Sequence, residues 1–145
     1  MKAYLYRALF EAGDRRGTIV VSFPDAPEAI TEGRNSAEAR QMAEEALGLV
    51  LLNYIRRGKS LPKPRAKSRG LVEIGVAPDV AAKLAVLESF AASGISKTEL
   101  ARRSGKDEKE VRRVLDPKHS TKLSALTAAL RALGKRLVVG VAEAE

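Results

Sequence analysis

The stretch Ile95–Leu115, ISKTELARRSGKDEKEVRRVL, constrains the fold of this chain more than any other. It predicts two short helices that cross steeply with almost no chain between them. Ala101 is small enough to let the second helix approach the first. Gly105 can turn at positive φ without a Cβ clash. Leu100, Val111, Val114 and Leu115 supply an apolar inner face, and Arg102, Arg103, Lys109, Arg112 and Arg113 remain outside. This is the pattern of a DNA-binding helix-turn-helix, whose second helix enters the major groove while the first crosses the phosphate backbone. Ser96 and Lys97 are then expected to meet phosphate. Glu108, Lys109 and Arg112 are expected to face base edges, with Arg113 and Lys118 as further candidates. Ser104 and Lys106 flank the turn where such motifs carry larger apolar residues, and the second helix opens on Asp107 and Glu108. Acidic residues suit the positive end of a helix dipole, and a carboxylate can accept from cytosine N4. The same residues would also serve a structural helical hairpin with a solvated basic face.

Charge is distributed in keeping with the DNA reading. The net charge is +8, yet residues 1–58 hold eight basic and eight acidic residues and are neutral. Residues 59–70 hold five basic residues and no acid, and residues 71–145 hold thirteen basic against ten acidic. A field concentrated in the linker and C-terminal part points to nucleic acid as partner there. The 145 residues suffice for one domain or two small ones, and 45% apolar content with 4% aromatic allows an aliphatic core. The absence of cysteine and the single His119 exclude disulfides, thiolate metal sites and multi-histidine metal sites, so no metal or cofactor is expected. No run approaches a membrane span and the N-terminus lacks a signal-peptide core, so a soluble cytoplasmic protein is expected.

Along the chain, residues 2–10 and Thr18–Phe23 read as strands joined by a turn at residues 13–17. A third short strand is expected at Ala29–Glu32, closed by Gly33. Asn35 with Glu38 resembles a capping box that opens a long helix to about Arg57, with Gly58 as its stop. Ala39, Met42, Ala43, Ala46, Val50 and Tyr54 are its expected sheet-facing side. Residues 59–70, KSLPKPRAKSRG, read as a basic linker, and Leu71–Val76 as a strand that completes the first sheet or pairs between chains. Pro78 opens a helix with a face of Val80, Leu84, Leu87 and Ala91, ended by Gly94. After the helix pair, a last helix covers Leu123–Leu133, capped by Ser120 or Thr121. Arg136–Ala142 is expected to be a strand whose free edge pairs with a second chain.

The segments SFPDAPEAITEG (Ser22–Gly33) and SAEARQMAEEALGLVLLNYIRRGKSLPKP (Ser36–Pro64), in that order, resemble the HicB antitoxin family. The C-terminal half, with its D-P-K-H-S-T-K-L and A-L-R-A-L-G-K-R-L runs, is similar to the Xre-type helix-turn-helix of one branch of that family. The resemblance implies an α+β protein. Residues 1–64 would form a degenerate RNase H-like domain that binds a HicA-type ribonuclease toxin. Residues 77–145 would form a domain that binds the operator of its own operon as a homodimer or tetramer. The toxin-facing surface would include Phe23, Asp25, Ala26, Glu28, Thr31 and Glu32.

No catalysis is expected. A metal nuclease of the RNase H kind needs several converging carboxylates. No acid lies between Met1 and Phe10, Asp14 sits in a turn, and Asp25 stands between prolines as a turn former. His119 has no partner carboxylate placed by sequence and is expected to order its loop or donate to phosphate. The competing expectation is a stand-alone repressor whose N-terminal domain dimerises or senses a ligand.

Overall fold

The computed structural model describes residues 1–144 and separates into two compact units, 1–81 and 82–144. The first unit is a four-stranded antiparallel sheet with one helix. Its strands are β1 (Leu5–Ala12), β2 (Ile19–Ser22), β3 (Ile30–Gly33) and β4 (Val72–Gly75), in the order β3-β2-β1-β4. The β1–β2 hairpin closes where Gly13 N–H donates to Thr18 O at 2.9 Å. β4 pairs antiparallel with β1, Leu5 opposite Gly75 and Arg7 opposite Glu73. The strand whose place the sequence left open therefore belongs to the first sheet.

Helix α1 (Ser36–Arg56) starts as predicted, with Asn35 Oδ1 accepting from Glu38 N–H at 2.9 Å. Its buried positions are Ala39, Ala43, Leu47, Gly48 and Leu51, whereas Met42 is 36% exposed. The sheet-facing side is thus turned from the predicted one. The run ALGLVLL is aliphatic on every side, so periodicity alone could not choose the face. Tyr6, Ala8, Val21, Phe23 and Ile74 meet α1 from the sheet's inner face, all buried. Gly33 is the point of closest approach. A Cβ there would lie 2.3 Å from the Ala39 backbone nitrogen, which only a hydrogen can tolerate.

Residues 59–70 are not a free linker. The Tyr6 hydroxyl donates to Pro62 O, and Asp25 Oδ2 accepts from Ala66 N–H at 2.8 Å. This basic strap and β4 lie in the first unit, which ends at Ala81.

Helix α2 (Pro78–Ser93) crosses the division between the units. The second unit is otherwise built from α3 (Lys97–Ser104), α4 (Glu108–Val114) and α5 (Leu123–Ala132). Ala82, Val86, Val114, Leu126 and Leu130 form one apolar cluster, and Leu100, Ala101 and Val111 another. The expected strand Arg136–Ala142 is absent: residues 135–144 have no regular structure. The second unit has no sheet edge among the described residues, so a lone strand would leave its N–H and C=O groups unpaired. Leu137 packs on the first cluster, while Val138, Val139 and Val141 are 54%, 70% and 100% exposed.

Replacing Gly33 with Ala should force β3 away from the start of α1 and cost about 1–3 kcal/mol, the usual price of overpacking. Urea unfolding of the full chain measures it.

Candidate functional site

The pair α3–α4 is set by its caps. Ser96 Oγ accepts from Glu99 N–H at 3.0 Å and starts α3. Gly105 at φ 70° ends α3. Asp107 Oδ1 then accepts from Glu110 N–H at 2.8 Å and starts α4. Only Gly105, Lys106 and Asp107 separate the helices, so their directions must change sharply. Leu100, Ala101 and Val111, all buried, hold the two together. Ser104 replaces the apolar residue common at this position by folding back, its hydroxyl donating to Leu100 O at 2.7 Å. That bond removes the desolvation penalty of its half-buried hydroxyl.

The structure brings part of the predicted set together. Thr98 Oγ1 donates to Glu108 Oε1 at 2.8 Å and joins the first turn of α3 to the first turn of α4. Ser96 and Lys97 thereby stand beside Glu108 and Lys109, all exposed. Ser96 still has its hydroxyl proton to donate, since its oxygen acts as acceptor in the cap. Arg112 follows Lys109 three residues on, on the same helix face. Lys97, Lys109 and Arg112 make no ion pair among the described residues. Arg113 faces elsewhere, into a cavity of about 530 Å³ beside α5 that Lys106, His119 and Lys122 also line. Lys118 lies past the end of α4, in a turn where its N–H donates to Asp116 Oδ1 at 2.9 Å.

Arg102 and Arg103 behave differently. Glu99 accepts from both, from Arg103 Nε at 2.9 Å, and these two bonds hold its carboxyl down to about 2. Their charge is largely answered within α3. The cationic field open to a polyanion comes from Lys97, Lys109, Arg112 and the residues around the cavity.

Sequence reasoning missed Lys83. It is buried, 4% exposed, in the second-unit part of α2. Its Nζ donates to Val114 O at 2.8 Å, to Thr121 Oγ1 at 2.7 Å, and to Arg113 O and Asp116 O at 3.2 Å. A helix end leaves its last carbonyls without intrahelical donors, and here one ammonium meets them. Contrary to the expectation that Ser120 or Thr121 caps the last helix, Thr121 does not cap α5. Its hydroxyl serves Lys83 and lies 3.0 Å from His119 Nδ1, and α5 starts at Lys122 without a side-chain cap. A single lysine within the apolar run VAAKLAVL was the available signal. Burial pushes Lys83 down to about 8, against the pull of the Asp116 carboxylate.

In the first unit, Phe23 and Ala26 are buried at 1% and 0% exposure and stabilise the turn between β2 and β3. Asp25 holds the strap. Glu28 accepts from the Tyr54 hydroxyl at 2.8 Å through both oxygens, which lowers the Glu28 pKa and raises that of Tyr54. Thr31 is half-buried on the inner side of β3, opposite Val21, and Glu32 is exposed on the outer side. Among the described residues no group of three or more His, Asp and Glu is placed to hold a metal ion. No helix among them is long and apolar enough to cross a membrane.

Fold and site together define a two-unit α+β protein, a sheet-and-helix unit followed by a helical unit with an open cationic helix pair. The chain belongs to the HicB antitoxin family. It is 39% identical over 121 residues to Antitoxin HicB of Escherichia coli K12, covering 83% of this chain and 88% of that protein. It is 38% identical over 117 residues to Antitoxin HicB 2 of Photorhabdus laumondii, covering 81% and 83%. Antitoxin HicB 1 of the same organism is 34% identical over 125 residues, covering 86% and 79%. No protein-family profile matches the chain.

The Lys83 geometry makes a pH prediction. An unfolded lysine keeps its proton to about 10.5, while the folded one releases it near 8. Between these values the unfolded chain binds more protons, so stability rises with pH, by up to about 3 kcal/mol for a shift of this size. Lys83→Met should abolish that slope between pH 8 and 10 in chemical unfolding. At pH 7 it should destabilise the chain by about 2–4 kcal/mol, because carbonyls at the end of α4 lose their donor.

Proposed function

We propose that this chain neutralises a HicA-type ribonuclease toxin through its first unit and represses its own operon by binding operator DNA through α3 and α4. The observation that carries the DNA half is the pairing of two capped helices that leaves Lys97, Lys109 and Arg112 exposed without carboxylate partners. Family membership carries the toxin half. In this reading α3–α4 is a helix-turn-helix. Lys97 and Ser96 contact phosphate, Lys109 and Arg112 read base edges, and Arg113 and Lys118 reach flanking backbone. Glu108 holds Thr98 through Oε1 and keeps Oε2 free to accept from a cytosine. Inhibition of the toxin requires covering its RNA-binding surface and no reaction by this chain, which acts in the cytoplasm. Thr31 and Glu32 contribute to the toxin-facing surface.

A helix-turn-helix monomer reads one half-site, so the operator complex contains two or four copies. The exposed Val138, Val139 and Val141 are the apolar surface that a second copy would cover, and pairing of two such tails would complete the strand that one chain cannot form alone.

The decisive experiment is co-expression of the full chain with a HicA-type ribonuclease. Copurification with loss of ribonuclease activity is expected, together with retention of operator DNA by the complex. A chain that binds DNA but leaves the toxin fully active would make it a stand-alone repressor instead. Arg112→Ala should lower discrimination between operator and random DNA by about 1–3 kcal/mol. Lys97→Ala should weaken both alike and reduce the salt dependence of binding. Truncation after Lys135 should lower the oligomeric state in sedimentation and weaken operator binding. An unchanged oligomer with unchanged affinity would remove the tail from the interface.

A further inference from the structure

Helix α1 covers only one side of the first unit's sheet. The register places Leu5, Leu9, Val20 and Ile30 on the other side. Leu5 and Ile30 are 40% and 64% exposed, and Leu9 and Val20 are half-buried. A sheet face that meets only water normally alternates to polar residues, so four aliphatic side chains spread over three strands are out of place there. Among them stand Glu11, Glu32 and Glu73, all exposed. Arg7, opposite Glu73, is the one cation in the four strands. Arg7 stands between Leu5 and Leu9 on this face and Val20 between Glu11 and Glu32, so the face is largely aliphatic with three carboxylates to one cation, in a chain whose net charge is +8.

Such a face suits a partner that is apolar and cationic. A ribonuclease that holds a polyanion by its phosphates must present a cationic surface. A second copy of this chain is a poor occupant, because two identical, net acidic faces would repel across a two-fold axis. We infer that the open sheet face, Leu5, Leu9, Val20 and Ile30 with Glu11, Glu32 and Glu73, is the docking surface for the cationic RNA-binding face of the toxin. The carboxylates take the places of RNA phosphates, and the aliphatic side chains supply the area that RNA does not offer. This inference rests on the antitoxin reading above. It moves the contact from the β2–β3 turn, where Phe23 and Ala26 are buried and Asp25 and Glu28 are engaged within the unit, to the strands themselves. Glu32 belongs to both surfaces.

The test titrates the full-length chain against a HicA-type ribonuclease, by calorimetry and by RNA cleavage. The triple variant Glu11→Lys, Glu32→Lys, Glu73→Lys should bind about 100-fold more weakly, and Ile30→Asp about tenfold. Unfolding midpoints should stay as in the unmodified chain, and so should the affinity of Ile30→Asp for operator DNA. Binding by the unmodified chain should weaken with salt, and the triple variant should lose that dependence. Leu49→Asp, at a 70% exposed position on α1, should bind normally. If the lysine variant does not fold, the corresponding glutamine triple and Ile30→Asp decide. Folded variants of the sheet face that inhibit the toxin as well as the unmodified chain would overturn the inference while leaving the antitoxin reading intact. Loss of binding in Leu49→Asp alone would move the site to α1. Failure of the unmodified chain to bind would remove the antitoxin reading and this inference with it.

Discussion

A single helix laid on a four-stranded sheet buries one of its faces and leaves the other bare. In the first unit this constraint governs the rest. Helix α1 supplies Ala39, Ala43, Leu47 and Leu51 against Tyr6, Ala8, Val21 and Ile74, and these residues form the core of that unit. The hairpin, the β2–β3 turn and the strap serve to keep the sheet flush against the helix. Phe23 and Ala26 fill the turn's underside, Glu28 ties it to Tyr54 near the end of α1, and Asp25 ties it to the strap. The motif that identifies the family is thus largely structural. The free face then becomes the surface with which the unit can meet another molecule.

The second unit solves a different problem. Helices of eight and seven residues are too short to persist alone, so α3 and α4 depend on caps and tertiary contacts. Ser96 and Asp107 fix where they begin, and Leu100, Ala101 and Val111 fix how they cross. Lys83 fixes where α4 ends. It reaches from α2 to the carbonyls of Arg113, Val114 and Asp116, and to Thr121 in the following loop. An ammonium placed there is costly to desolvate, but its three N–H groups answer helix-end carbonyls that would otherwise lack donors. The exposed face of α4 is held by this buried contact as much as by its apolar side.

Charge follows the same division of labour. Glu99 engages Arg102 and Arg103 within α3, so two of the most conspicuous arginines in the sequence are partly neutralised. Lys97, Lys109 and Arg112 are left exposed without carboxylate partners among the described residues. On the sheet of the first unit the sign reverses, with Glu11, Glu32 and Glu73 among aliphatic side chains. A chain of net charge +8 therefore offers surfaces of both signs on separate units.

Local signals were legible in the residues themselves. Asn35 with Glu38 and Gly105 mark helix ends because a cap is made by neighbours in sequence, and both hold in the structure. The alternation in β1 and β2 and the turn at residues 13–17 were readable for the same reason. What could not be read involved choices among equivalent partners. The buried side of α1 depended on which strip of an aliphatic run met the sheet, and Met42 lost to Leu47 and Leu51. Asp25 could bind its own turn or a strap 41 residues away, and only the packed chain brings Ala66 to it. Lys83 looked like one more surface lysine until α2 was placed against the end of α4. The tail 136–142 has strand-forming residues but no edge in its own unit, and strands require a partner where helices do not. The sequence by itself determined where α1 begins, where α3 ends and where the first hairpin turns, through bonds between near neighbours. The tertiary structure decided which faces are buried and which charges are answered, because those depend on groups brought together from distant parts of the chain.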